Sequence, residues 1–418
     1  MSSAPLQIHA TWWAPDGIRR FSESHHTGTL SYSEEEGPTL VVYHQPSSGV
    51  IFRSYERYSV IWGESSDGHI ITLFNVVLIR QTDFNKSEYV VDFALLESHV
   101  QSLEEPVFDL CVTGFPFLRN WALDPKLSQK SSQQRESFVL DMSKGKPLFS
   151  AFMDNDITTY CWGQISYTIT GYTLNVEQRT HYNIECKKPC SIQRYLSLIS
   201  EFSEFLSIAL FCPQHPIEIK FKKIGENDYY PLLFKIKTST KPMHVSLIKY
   251  DLFKEKIPDL IQAWHTNHER IAPIASYLIR SMRLESPFDT PDFLIIAQAL
   301  DGYFKRFKNK TDGNDTRKYK DGIDKLLGLF HDIDAIQKCH IDSELVTDSR
   351  DAYSHLYPEE ERTNKKVAVG VDLYWLTQKC KILLTCCILN MLGLDNEDIN
   401  ACCNESPISY IINSFPLE

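Results

Sequence analysis

No run in this chain is both long enough and free enough of charge to cross a membrane as a helix. The longest apolar stretch, Tyr195 to Cys212, carries Glu201 and Glu204 and reads as a buried or amphipathic helix. Internal repeats and low-complexity tracts are absent, which excludes a solenoid. The opening Met1-Ser2-Ser3-Ala4-Pro5 has no basic region leading into an apolar run, so no secretory signal is expected. Positive charge is in deficit: 43 Lys and Arg stand against 54 Asp and Glu, a net charge of −11. A surface that binds polyanions indiscriminately is thereby excluded. Any nucleic-acid contact must use a local basic patch.

Metal-binding patterns are scarce too. Cys186 and Cys190 have metal-like spacing, but no second close pair completes a structural zinc set, and Cys402-Cys403 is an awkward chelate. His265 and His268 are three apart with Glu269 beside them. No third ligand is evident, so a solvated helix face is the simpler reading. Neither a metal nor a cofactor is expected. The 11 cysteines are odd in number and scattered, and Cys380, Cys386 and Cys387 fall in apolar helical runs as small hydrophobes. Free thiols in a reducing cytoplasm are the expectation.

What is present is ordinary globular material: 418 residues, 43% hydrophobic and 12% aromatic, enough for two or three domains. From Leu6 to about Ile184, short runs rich in Val, Ile, Tyr, Phe and Thr alternate with turn residues. Leu40-Val41-Val42-Tyr43, Ile70-Ile71-Thr72-Leu73-Phe74 and Tyr89-Val90-Val91-Asp92-Phe93 are examples. Asp16-Gly17, Gly37-Pro38 and Asp67-Gly68 punctuate them. No phosphate-cradling glycine loop or nucleophile elbow occurs there. Helical spacing begins at Ser191, a β-like piece follows from about His215 to Lys237, and Leu260 to Met282 is helical again.

From Thr290 the pattern is all-helical. Thr290 can cap a helix that opens on Pro291. Further helices are expected at Tyr319 to His331, Asp342 to His355 and Gly370 to Leu392, the last closed by Gly393. The expected fold is therefore an α+β multidomain chain. An antiparallel β-rich domain, sandwich-like or barrel-like, occupies residues 1–185. A mixed, mainly helical connecting segment occupies 186–288, and a four-helix-type bundle occupies 289–418.

The third bundle helix ends in Arg350-Asp351-Ala352-Tyr353-Ser354-His355. An Arg and a His held together suffice to cleave RNA without a metal: the cation stabilises phosphate charge and the imidazole moves the proton. The spacing alone is weak, and Arg20 to His25 repeats it in a polar stretch with no helical pattern. Residues five apart also point about 140° away from each other on a regular helix, so two copies facing each other would make a better site. Asp351 is four residues from His355 and can orient it. Lys305, Arg306, Lys308, Arg317 and Lys318 form a local basic cluster, and Lys365-Lys366 follows the motif. These could hold phosphates.

Residues 291–394 resemble a HEPN domain, whose mark is an Arg, four to six residues with a polar first place, then a His. Arg350, Asp351 and His355 fit it. Trp12-Trp13-Ala14-Pro15, Gly28-Thr29-Leu30-Ser31-Tyr32, Ile61-Trp62-Gly63-Glu64, Asp67-Gly68-His69 and Arg119-Asn120-Trp121 are similar to the N-terminal domain of ApeA-type proteins. The resemblance implies an anti-phage, abortive-infection protein with a metal-independent ribonuclease domain, acting as a homodimer. Its RNA substrate would be tRNA or another translation RNA, and a phage-derived trigger would act on the β domain. It implies His355 as general base or acid, Arg350 as charge stabiliser and Asp301 on the first bundle helix as a supporting acid. A non-catalytic HEPN scaffold that binds RNA or protein is the competing expectation.

Overall fold

The computed structural model describes residues 6–15, 26–43, 57–82, 86–122, 127–132, 135–140, 147–170, 173–239, 245–283, 290–308, 318–358 and 365–416. The Arg20 to His25 repeat lies outside them, as does Arg317.

The first six strands are β1 (Leu6–Trp13), β2 (His26–Ser33), β3 (Gly37–Tyr43), β4 (Arg57–Ser65), β5 (Ile70–Thr82) and β6 (Lys86–Leu96). They pair in the order β6-β3-β2-β1-β4-β5, and β5 also pairs with β6. The ring is closed: these strands form an antiparallel barrel rather than two stacked sheets. Alternation puts Ala10, Trp12, Leu30, Leu40, Val42, Ile61, Ile71 and Leu73 inside. Trp12 is fully buried and lies opposite Gly63 in register. A Cβ on Gly63 would stand 2.3 Å from Trp12 Cζ3, and one on Gly28 would stand 2.4 Å from the Val41 carbonyl. The two glycines are therefore the room that one indole requires.

Through β14 (Tyr230–Phe234), which pairs with β6, the sheet continues into β13 (Glu218–Lys222), β7 (Pro106–Gly114), β12 (Thr173–Ser191), β11 (Ile157–Thr170) and β10 (Phe149–Asp154). β8 (Leu127–Ser132) and β9 (Arg135–Leu140) pair separately. Two helices interrupt this region, α1 (Leu118–Trp121) and α2 (Ile192–Leu210). The start of α2 covers the apolar face of the extended sheet. Tyr195 packs on Phe221, with ring centroids 5.6 Å apart, and its hydroxyl donates to the Phe108 carbonyl at 3.1 Å.

The chain divides into two compact units: residues 1–119, 124–200 and 215–238, and residues 120–123, 201–214 and 239–418. The segment expected as a connector at 186–288 is thus shared between them. Within the second unit, α3 (Tyr250–Phe253) and α4 (Ile257–Ser281) precede α5 (Thr290–Tyr303), which runs into a π turn at Phe304–Lys308. Then come α6 (Tyr319–Leu329), α7 (Asp334–Cys339), α8 (Ser343–Ser354), α9 (Val371–Met391), α10 (Asn396–Cys403) and α11 (Pro407–Asn413). α5, α6, α8 and α9 stand where four helices were expected, and α7, α10 and α11 are short additions. α9 is buried almost all round, from Leu373 to Leu389, which makes it the axis of the bundle. Lys381 on α9 and Asp292 on α5 form a buried ion pair at 2.8 Å. Among the described residues no helix is long and apolar enough to cross a membrane.

Candidate active site

α8 forms where a cap and a buried stripe coincide. Asp342 accepts the backbone N–H groups of Glu344 and Leu345 at 2.9 and 3.2 Å, supplying partners the first turn lacks. Val346, Ser349 and Ala352 are buried at helical spacing, and α8 packs against α5 and α6. The helix stops in a Schellman turn. Leu356 takes a left-handed φ of 53°, the Tyr357 N–H reaches back to the Ala352 carbonyl at 3.0 Å, and the Leu356 N–H reaches Tyr353 at 3.4 Å. A leucine is a costly residue for that conformation, by about 1 kcal/mol. Its side chain is 84% exposed beside the site.

The turn decides where His355 points. As the residue after the helix, it leaves helical geometry, with φ −97° and ψ 2°. Its ring is exposed and stacks on Tyr357 at 5.4 Å and 28°. Lys365 Nζ lies 4.8 Å from the same tyrosine's centroid. Among the described residues neither imidazole nitrogen has a hydrogen-bond partner. The loop at 365–368 is tied to α8: the Ala368 N–H donates to Ser349 Oγ at 2.9 Å, and Tyr353 Oη donates to the Ala368 carbonyl at 2.7 Å.

Arg350 is about one-third exposed and held from two sides. Nη1 donates to Asp351 Oδ1 at 3.0 Å, and the guanidinium lies 4.8 Å over the Tyr319 ring. Tyr319 Oη donates to the Ala297 carbonyl on α5 at 3.2 Å. Burial pushes this phenol well above its ordinary range, Cys380, Asp301 and Asp351 add to the effect, and Arg350 opposes it. The Tyr319 hydroxyl is therefore a fixed neutral donor, with Arg350, Asp351 and Asp301 gathered around it.

The expected site residues fall into two groups. Arg350, Asp351 and Asp301 share the surroundings of Tyr319, with His355 one turn beyond. Asp351, expected to orient His355, instead pairs with Arg350, because the C-terminal turn carries the imidazole off the Asp351 face. Asp301 holds Lys305 at 2.7 Å. Most expected phosphate ligands already have protein partners. Arg306 donates to the Arg270 carbonyl at 2.7 Å, and Lys308 donates to Asn390 at 2.9 Å. Lys366 sits 3.2 Å from Glu344 and 3.6 Å from Asp342. Lys365 stands over the Tyr357 ring beside His355, and the exposed Lys318 directly precedes Tyr319 in the chain. Sequence reasoning missed both aromatics. Tyr357 stands two residues after His355, a signal available to inspection, whereas Tyr319 comes from another helix.

The histidines once weighed as metal ligands are engaged elsewhere. His265 Nδ1 meets Glu201 at 2.6 Å, and His268 Nε2 meets Glu204 at 3.0 Å. All 11 cysteines are free thiols. Among the described residues no three His, Cys, Asp or Glu side chains converge as a metal site.

Comparison with known families accounts for both ends of the molecule. The family described as ApeA N-terminal domain 1 matches residues 7–264, and the Apea-like HEPN family matches residues 294–398. No curated protein and no solved structure matches the chain. The first match takes in the barrel with its Trp12, Gly28 and Gly63, and the second spans α5 to α9 with the Arg350–His355 turn. Since the N-terminal match alone covers more than half of its length, the chain belongs to the ApeA family of anti-phage proteins that carry a C-terminal HEPN domain.

Proposed function

We propose that the HEPN domain is a metal-independent endoribonuclease, that it works as a homodimer, and that the β-rich domain governs it in response to a phage-derived trigger. The observation that carries this is the end of α8. There an exposed imidazole with unengaged nitrogens stands one turn from a guanidinium fixed on a tyrosine ring. An imidazole nitrogen takes the proton of a ribose 2′-hydroxyl, and O2′ attacks the adjacent phosphorus. Arg350 stabilises the charge on the phosphoryl oxygens. The bond to O5′ breaks, and that oxygen receives a proton from imidazolium. The products are a 2′,3′-cyclic phosphate and a 5′-hydroxyl.

A second copy supports this chemistry. Two α8 ends brought together supply two imidazoles, one as base and one as acid, and cover the exposed Leu356. Lys318 and Lys365 flank the surface and suit the neighbouring phosphates. Asp351 holds Arg350, and Asp301 with Lys305 completes the polar surroundings. The RNA is one that translation needs, tRNA first, so that cleavage arrests the infected cell. The test is incubation of wild-type, Arg350→Ala and His355→Ala proteins with total bacterial RNA in EDTA, with and without infected-cell extract. Wild type alone should release fragments with cyclic-phosphate ends. Equal cleavage by the variants would remove the assigned roles. RNA binding by wild type without cleavage under either condition would establish the scaffold reading instead.

A further inference from the structure

Away from the HEPN domain, the sheet of β11, β12, β7 and β13 has two unlike faces. Cys161, Ile184, Cys111 and Phe221 lie on the buried face. The strand register lays out the other face as a grid. Trp162 stands opposite His181, then Gly114, then Glu218. Tyr160, Asn183, Val112 and Lys220 form the next row, and Thr158, Glu185, Leu110 and Lys222 the third. Gly114 leaves the middle of the first row low. The result is a groove of about 990 Å³, with Trp162 and Tyr160 on its β11 side and Glu218 and Lys220 on its β13 side. Tyr229, just before β14, stands at its rim and is 46% exposed. This volume is at the upper end of that seen for ligand sites, about 300–1,000 Å³.

The charges in this groove are unevenly spent. Lys220 Nζ is in direct ion-pair contact with Glu218. Lys222 Nζ is turned over the Tyr229 ring, 5.8 Å from its centroid. His181 stands 3.9 Å from Glu218, and burial holds its pKa below the ordinary histidine value. Glu185 is exposed, and among the described residues no cation pairs with it. Tyr160 lies diagonally across the β11–β12 pairing from Glu185, and Tyr229 lines the same groove; burial raises the Tyr160 phenol pKa, and those two groups raise it further. Two tyrosine rings and one carboxylate that no described cation pairs with therefore line the same groove.

We propose that this groove binds an arginine-bearing protein segment, with the guanidinium against the Tyr160 and Tyr229 rings and paired with Glu185. A guanidinium is flat, stacks on aromatic faces and donates a pair of parallel hydrogen bonds to a carboxylate. Nucleic acid is the wrong occupant, because Glu185 and Glu218 would face its phosphates. The inference does not rest on the nuclease reading, and its test reads binding alone.

The experiment pans a yeast-displayed library of random peptides against the immobilised full-length protein, then measures the selected peptides by fluorescence anisotropy. Arginine should be enriched at one position. Replacing that arginine by citrulline, which is flat but neutral, should weaken binding about tenfold or more, and Glu185→Gln should do the same. Tyr160→Phe should stay within about twofold of wild type while Tyr160→Leu loses affinity, since only the ring is used. A Glu185→Arg protein should regain binding to the peptide whose arginine is replaced by glutamate. Selection without arginine enrichment, indifference to Glu185→Gln, no selectable peptide, or a glycan-array ligand displaced by groove substitutions would each overturn the proposal. Circular dichroism of every variant separates lost binding from lost folding.

Discussion

Adding one methyl group at Gly63 tests the barrel most sharply. Built onto the backbone, the Cβ of Gly63→Ala would lie 2.3, 2.4 and 2.9 Å from the Trp12 ring atoms Cζ3, Cε3 and Cη2. Carbon atoms in contact prefer about 3.5–4.0 Å, so the overlap exceeds 1 Å at two atoms. The indole has little room to retreat. It is fully buried, and on its other side the Cβ position of Gly28 is only 3.1 Å from its five-membered ring. Overpacking of this kind costs typically about 1–3 kcal/mol, and a rigid ring with backbone behind it belongs at the upper end. With domain stabilities of about 5–15 kcal/mol, a cost near 3 kcal/mol is a large fraction. At about 2–4 °C per kcal/mol, the melting temperature of the β-rich unit should fall by about 6–12 °C.

The assay is thermal and urea unfolding of wild type, Gly63→Ala, Trp12→Leu and the double variant. In the Trp12→Leu background the added methyl should cost under about 1 kcal/mol, since the space it enters is already vacated. A Gly63→Ala protein that melts within about 2 °C of wild type would refute the packing argument. Strict additivity of the two substitutions would refute it as well.

Two further predictions concern the helical unit. Tyr319→Leu should lower RNA cleavage about fivefold by removing the ring under Arg350, while Tyr319→Phe changes it less than twofold and costs about 1 kcal/mol of stability through the lost hydrogen bond. Equal losses of cleavage in both would show that the ring does not position Arg350. His268 links stability to pH. Burial disfavours its charge, but the hydrogen bond it donates to Glu204 and the carboxylates of Glu201, Glu204 and Glu269 outweigh burial and raise its pKa above 6.5. A raised histidine pKa stabilises the fold fully below about pH 6.5 and loses that contribution as pH rises through the higher folded value. Urea midpoints taken across that window should therefore fall with rising pH, and Glu204→Gln should flatten the trend. A wild-type midpoint that rises through the window would contradict the assignment.

Much of the architecture could be read from local pattern because local physics enforces it. A strand with one covered face must alternate, and Ile219 and Phe221 pointing in while Glu218 and Lys220 point out on β13 is that rule at work. Gly393, expected to close the last bundle helix, does so in a left-handed turn. Barrel closure was not legible. β5 and β6 form a hairpin, but the β1–β4 and β3–β6 pairings that complete the ring join strands far apart in the chain. The basic cluster was visible as composition, but not its commitments, since Arg270, Asn390 and Glu344 come from other helices.

Sequence by itself therefore determined the change from strand to helical periods along the chain and the Arg350–His355 pair at a helix end, both of which depend on neighbours within a few residues. Tertiary structure alone decided that Trp12 fills the barrel beside two glycines and that Arg350 rests on Tyr319. Among the described residues it also left Glu185 without a cation in the β-sheet groove. Each of these is set by side chains brought together from distant positions, where distance and burial, not spacing, fix which partner wins.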